Sequence, residues 1–311
     1  MFKRLLFLTF FFTSLSAELL QTEEAVQEIN KATINTLLIF TSQEGLNSGL
    51  YHFSKTPEDM DMRIFHLPFI YHFKSDNAVN FFIVGNVGYS RVSLTSEVQT
   101  RTTNLLLNSL NHIQTYTAGI GTGIRYKIYP KFFISAGAEF IYSRAGVSIV
   151  KPEEDIGDVI EDFFNKNYSD NITYKFFTEI AYKPILRDFK PYCIFSYKLY
   201  ETKSSFSIDN LADFRSESSV TTLQVGVESP KLLEYNKNNN LTLEAYLYGH
   251  YLDGVVKDVV RFNRYRSIGG VAYWNTFATP SWASRFFLEL NQVQGDGLNG
   301  YNIGIGFTLD L

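Results

Sequence analysis

Hydrophobic and polar positions alternate with a period of two from about residue 47 to the last residue of this chain. In the terminal stretch Tyr301, Ile303, Ile305, Phe307, Leu309 and Leu311 are apolar or aromatic, while Asn302, Gly304, Gly306, Thr308 and Asp310 are small or polar. A period of two belongs to a strand with one greasy and one wet face. The same pattern sets Phe65, Leu67, Phe69, Tyr71 and Phe73 against His66, Pro68, His72 and Lys74. After a turn at residues 75–77 it sets Val79, Phe81, Ile83, Val87 and Tyr89 against Asn80, Asn86 and Ser90. Another pair of strands meets at Tyr129-Pro130-Lys131, with Tyr116, Ile120, Ile124, Tyr126, Ile134, Phe140 and Tyr142 on the outward face and Thr117, Gly119, Gly121, Gly123, Ser135 and Ser143 on the inward one. Later strands fit residues 172–183, 190–200, 219–229, 241–252, 266–277, 285–293 and 301–311. This makes about twelve, an even number of roughly the length a bilayer demands.

Connections after even-numbered strands are short and most of those after odd-numbered strands are longer, which a soluble sandwich gives no reason for. The expected fold is all-β: a transmembrane antiparallel up-and-down β-barrel of about 12 strands, with short turns and both termini in the periplasm. The two longest connections carry helical spacing. Behind Pro152, the residues Ile156, Val159, Ile160, Phe163 and Phe164 fall on one face, as Leu106, Leu107 and Leu110 do in the other, so short helices are expected in extracellular loops.

Composition narrows this further. Of 311 residues 16% are aromatic, 28 of them Phe and 20 Tyr, a load for which aromatic girdles at two lipid interfaces are a direct use. Past the N-terminus no stretch approaches the roughly 18 apolar residues of a spanning helix, so an integral membrane protein of this sequence must be a barrel. The net charge of -4, with no basic field, offers nothing to nucleic acid. Cys193 stands alone and reads as a small apolar strand residue.

Residues 1–17 have the basic start, apolar core and small-residue cleavage region of a signal peptide, and no Cys follows to anchor a lipid. Residues 18–45 form a lead-in, helical from a Thr22 cap or extended, or a segment lying in the lumen. Residues 46–311 form the barrel.

These features together resemble the solitary outer-membrane autotransporter-like β-barrel domain family: a cleaved leader, almost no passenger, Leu46-Asn47-Ser48-Gly49-Leu50-Tyr51 as a first strand, His66-Leu67-Pro68-Phe69-Ile70-Tyr71-His72-Phe73 as a second, and about twelve strands in all. The resemblance covers nearly the whole mature chain. It implies a translocator-type barrel in the cell outer membrane, with no catalytic residues and no cofactor. The ending Gly306-x-x-Leu309-x-Leu311 is similar to the signal read by the barrel-assembly machinery, although Leu stands where Phe or Trp usually closes it. Strand number is also similar to outer-membrane phospholipases, and His52-Phe53-Ser54 echoes their His-x-Ser pair. With Tyr51 and Phe53 read as lipid-facing, however, His52 and Ser54 point into the lumen, and Lys55-Thr56 replaces that family's Asn-Gly. The chain is therefore read as no enzyme, with lipid hydrolysis a remote alternative.

The inward set holds the candidate functional residues: Arg125, Lys127, Glu139, Lys175, Glu179, Lys183, Glu228, Glu244, Arg285 and Glu289. Mixed signs in a narrow barrel pair with one another, and in a wider one they line a water-filled path. The first case suits a structural or translocator-like barrel, the second a passive diffusion pore for small solutes. Gly119, Gly121 and Gly123 either leave wall space for a chain segment, with the lumen then partly blocked by residues 22–41, or let the sheet curve. Arg261, Arg264 and Arg266, interleaved with Phe262 and Tyr265, are candidate contacts for lipopolysaccharide phosphates. His66, His72, His112 and His250 lack metal-ligand spacing, and the acidic run 153–162 lacks a calcium-loop pattern.

Overall fold

The computed structural model describes residues 48–54, 60–73, 78–99, 106–150, 168–207, 213–236, 239–276 and 283–309. Thirteen strands form one sheet: β1 (Gly49–Phe53), β2 (Met60–His72), β3 (Val79–Gln99), β4 (Leu106–Tyr129), β5 (Phe132–Val150), β6 (Tyr168–Tyr182), β7 (Lys190–Phe206), β8 (Phe214–Glu228), β9 (Leu233–Asn236), β10 (Asn239–Gly254), β11 (Arg264–Thr276), β12 (Ala283–Gly295) and β13 (Leu298–Leu309). Sequential neighbours pair antiparallel, and β10 pairs with both β8 and β11. The short β9 only folds back on the start of β10. Twelve strands thus close into a barrel, with β13 pairing β1 from Gly49↔Asn302 to Phe53↔Leu298. The terminal strand is the closing one, as its pattern implied. Pro68, which has no N–H to give, lies past the end of the β1 ladder at Ile64, where β2 keeps its partner β3 on the other side.

The outward face carries the apolar belt. Phe65, Leu67, Phe69, Val87, Ile120, Ile124, Phe140, Leu247, Ile268 and Ile303 are all exposed on it. On β4 the belt runs between exposed Tyr116 and Tyr126, roughly 34 Å apart along the strand and about 26 Å along the axis at a tilt of about 40°. Tyr142, Tyr174, Tyr251 and Tyr301 continue the first aromatic row, and Tyr129, Tyr182, Tyr235 and Trp274 the second.

Above the first row the alternation changes sign. On β2 the outward residues become Asp61 and Arg63 while inward Met62 and Ile64 are buried; on β3 Arg91 faces out and Val92 in; on β10 Asp253 faces out and Leu252 in. A wall with polar residues outside and its apolar side turned inward is the pattern of a barrel in water, so beyond the first row the strands read as those of a soluble barrel. The inward side chains at this level form one buried cluster that includes Tyr51, Phe53, Met62, Val92, Ile113, Ile141, Tyr200, Val220, Leu252 and Leu298. Helix α1 (Val255–Val260) folds in from the β10–β11 connection and adds Val256, Val260 and, just past its end, Phe262. Gly254 (φ 77) and Arg261 (φ 57, left-handed), both at positive φ, turn the chain into and out of it.

Several expectations are corrected here. Leu106, Leu107 and Leu110 are not helical: the backbone of residues 106–110 is strand, with Leu106↔Gln99 and Leu110↔Thr95 in register, because ladder pairing outweighs a spacing that fits either period. The asymmetry between the two ends lies in strand length more than loop length, since β3, β4 and β5 project well past the belt and β12 and β13 are joined on that side by Asp296 and Gly297 alone. The helix described among these residues is α1, and the one expected over 152–165 lies outside them, as do residues 1–45.

Candidate functional site

The lumen has two layers. The layer toward α1 is the apolar cluster. Below it lies a polar layer of two groups of side chains. On the wall made by β3 to β6, Lys175 Nζ donates to Glu139 Oε2 at 2.8 Å, Asn86 Nδ2 donates to the other oxygen of Glu139, and an Arg125 Nη lies 3.6 Å from Glu179. On the opposite wall Lys190 Nζ and Arg285 Nη2 both donate to Glu228 Oε1, at 2.8 and 2.9 Å, and Arg285 Nε donates to Asn275 Oδ1 at 2.7 Å. The Arg285 guanidinium also lies 4.1 Å over the Tyr273 ring. Glu244 accepts from Tyr192 and, at 2.9 Å, from Tyr273. Glu289 accepts from Tyr246, whose hydroxyl accepts from Asn291 Nδ2 at 3.0 Å, and Asn302 Nδ2 donates to Asn291 at 2.7 Å. A cavity of about 80 Å³ remains beside the first group, reaching from His66 and Phe82 to Glu179 and Lys198.

Of the ten candidate residues, Arg125 with Glu179, Glu139 with Lys175, and Glu228 with Arg285 are brought together as ion pairs. Glu244 and Glu289 find tyrosines instead. Lys127 and Lys183 are exposed at the short-turn end, where their backbone N–H groups bond Ala78 and Lys131 carbonyls at 2.8 Å. The inward tyrosines were missed because aromatics were assigned to the girdles. Their signal was parity: Tyr246 is two residues from Glu244 on β10 and shares its face.

The glycine row leaves no free wall. A Cβ at Gly123 would meet the Phe82 ring, and one at Gly119 would meet Asn86 and Glu139, so side chains of β3 and β5 occupy that space. Parity on β1 is the reverse of the expectation. Tyr51 and Phe53 are 2% and 0% exposed inside the barrel, because β1 lies in the projecting layer where the apolar side turns inward. His52 therefore faces out, its Nδ1 2.8 Å from Asp61 Oδ1, with side chains 48% and 74% exposed. The Ser54 backbone N–H is given to Gly297 O at 2.9 Å. Phe262 and Tyr265 are likewise buried in the mouth and do not flank the arginines at an interface. Arg261 caps α1, while Arg264 and Arg266 are exposed on the outward face and Arg266 Nη2 donates to Gln294 Oε1 at 2.8 Å.

No protein-family model and no curated protein matches the sequence. Solved structures do match the fold. The transport unit of the autotransporter AIDA-I from Escherichia coli aligns over 93% of this chain and 99% of its own, at 11% identity and a TM-score of 0.53. The translocator domain of autotransporter NalP from Neisseria meningitidis aligns over 92% and 96%, at 7% identity and a TM-score of 0.52. The β domain of the Bordetella autotransporter BrkA aligns over 84% and 96%, at 9% and 0.51. At these identities the likeness is one of fold: the chain is a twelve-strand barrel shaped like autotransporter translocator domains.

Proposed function

We propose that this chain is an outer-membrane barrel of the autotransporter translocator kind, with a structural or translocator-like role and a mouth closed at rest by α1. The observation that carries the reading is the apolar belt between two aromatic rows, set at bilayer spacing on a closed barrel of translocator shape. The signal-peptide pattern of residues 1–17 supports export, and the polar projections of β2 to β5 support an extracellular position for the α1 end. Lipopolysaccharide at Arg264 and Arg266, and the barrel-assembly machinery at the terminal strand, are the partners this position implies.

A passive diffusion pore is the second reading. The polar layer favours it and the apolar cluster above that layer opposes it, since a water path must cross Met62, Ile113 and Val260. Lipid hydrolysis is not proposed, although His52 and Asp61 face outward. The Ser54 N–H is already bonded and cannot also stabilise an oxyanion there, and no described hydrogen bond links Ser54 to His52. A lipase assay of the purified barrel is expected to give no activity above that of His52→Ala.

Cysteine labelling tests the placement. In a Cys193→Ser background, Asn299→Cys at the α1 end is expected to react with an impermeant maleimide on whole cells, and Asp188→Cys in the β6–β7 turn only after permeabilisation. The reverse pattern would invert the barrel, and absence of the protein from the outer-membrane fraction would overturn the reading.

A further inference from the structure

Two arginines oppose each other where the outward face turns from apolar to polar. In the β2–β3 ladder Arg63 is the direct partner of Arg91, and both point outward. Directly opposed side chains have Cβ atoms roughly 4.5–5.5 Å apart, and like charges in that relation destabilise a sheet. The row is continued by Leu50 on β1 and Gln114 on β4, neither of which supplies a negative charge. Asp61, two residues along β2, is the adjacent carboxylate, and it bonds His52 on the other side. One row toward the bilayer stand Phe65, Tyr89 and Tyr116, the two tyrosine rings 5.2 Å apart.

Two other groups of outward cations at this end are matched. Lys203 opposes Arg215 on β7 and β8, but Glu201 opposes Glu217 two residues away on the same face. Arg144 holds both oxygens of Asp170, at 2.7 and 3.0 Å. The Arg63–Arg91 pair has no such complement among its described neighbours on the face other than Asp61.

We propose that Arg63 and Arg91 form a binding site for the phosphate of a lipid headgroup, that of the phosphorylated glycolipid of the outer leaflet. Two guanidinium forks can each present paired N–H donors to one phosphate, and the anion relieves the repulsion between them. The aromatic row beneath lies at headgroup level, and Leu67 and Phe69 continue downward as a surface for the acyl chains. This rests on the outer-membrane reading.

The test is thermal melting of the folded barrel in phosphate-free alkyl maltoside micelles. The additions compared are lipid A, dephosphorylated lipid A and inorganic phosphate. Lipid A at saturation is expected to raise the Tm of the unmodified protein by roughly 5–10 °C, and dephosphorylated lipid A to leave it unchanged. The variant Arg63→Gln/Arg91→Gln is expected to lose most of that rise, Arg264 and Arg266 keeping the remainder, and, without lipid, to melt no lower than the unmodified protein because the repulsion is gone. An equal rise in the variant would overturn the site, and an equal rise with inorganic phosphate would make it a site for a free anion. Melting of the variant below the unmodified protein without lipid would make the arginines structural. Failure of the unmodified chain to form a heat-modifiable barrel would overturn the outer-membrane reading instead.

Discussion

Lys175 and Glu139 show how the interior is held at the level of single side chains. Both are buried, and the carboxylate has donors on each oxygen, so the pair has the hydrogen bonding that offsets the cost of burying charge. Removing one partner leaves the other charged and enclosed. Lys175→Met is therefore expected to cost about 3–5 kcal/mol, read as a lowered urea midpoint for the barrel in vesicles, whereas Glu139→Leu/Lys175→Met should recover most of that loss. A single variant as stable as the parent would mean that water reaches the pair freely. Parity alone tells which side of the wall these residues face. It does not give their partners, because which inward residues share a height depends on the stagger between strands, and that is set only when the barrel closes.

At the scale of elements, strand identity and order were legible because alternation, turn residues and length agree. The inversion of polarity above the belt is present too, in Asp61-Met62-Arg63-Ile64 and in Arg91-Val92, but alternation by itself does not mark where the apolar side changes from the outer to the inner face. One rule of apolar-outward applied to every strand therefore exchanges the faces of β1. Helix α1 escaped notice because a run of Val255, Val256, Val259 and Val260 suits a strand as readily. The belt itself makes a quantitative prediction. Ile120 is 61% exposed midway between the two aromatic rows, so Ile120→Arg should destabilise the barrel in vesicles by about 2–4 kcal/mol. The same change at Asn299, exposed above the first aromatic row, should cost about 1 kcal/mol or less. Equal costs at the two positions would mean that the belt is not in lipid.

For the whole molecule the two layers of the lumen decide behaviour. The polar layer holds the paired charges and a small cavity, and the apolar cluster with Val256 and Val260 of α1 packs above it. Burying Val256 or Val260 contributes roughly 1.5–3 kcal/mol each, so placing a carboxylate at both positions should drive α1 out of the mouth while leaving the belt untouched. A block of the lumen by residues 22–41 would be separate from this one, so with α1 in place deleting them alone should leave conductance unchanged. Single-channel conductance in a planar bilayer, comparing the full chain with Val256→Asp/Val260→Asp, tests the closed translocator-type barrel most directly. A closed parent with brief openings and a steadily conducting variant is the predicted result, and a parent that conducts steadily at the same level as the variant would contradict it.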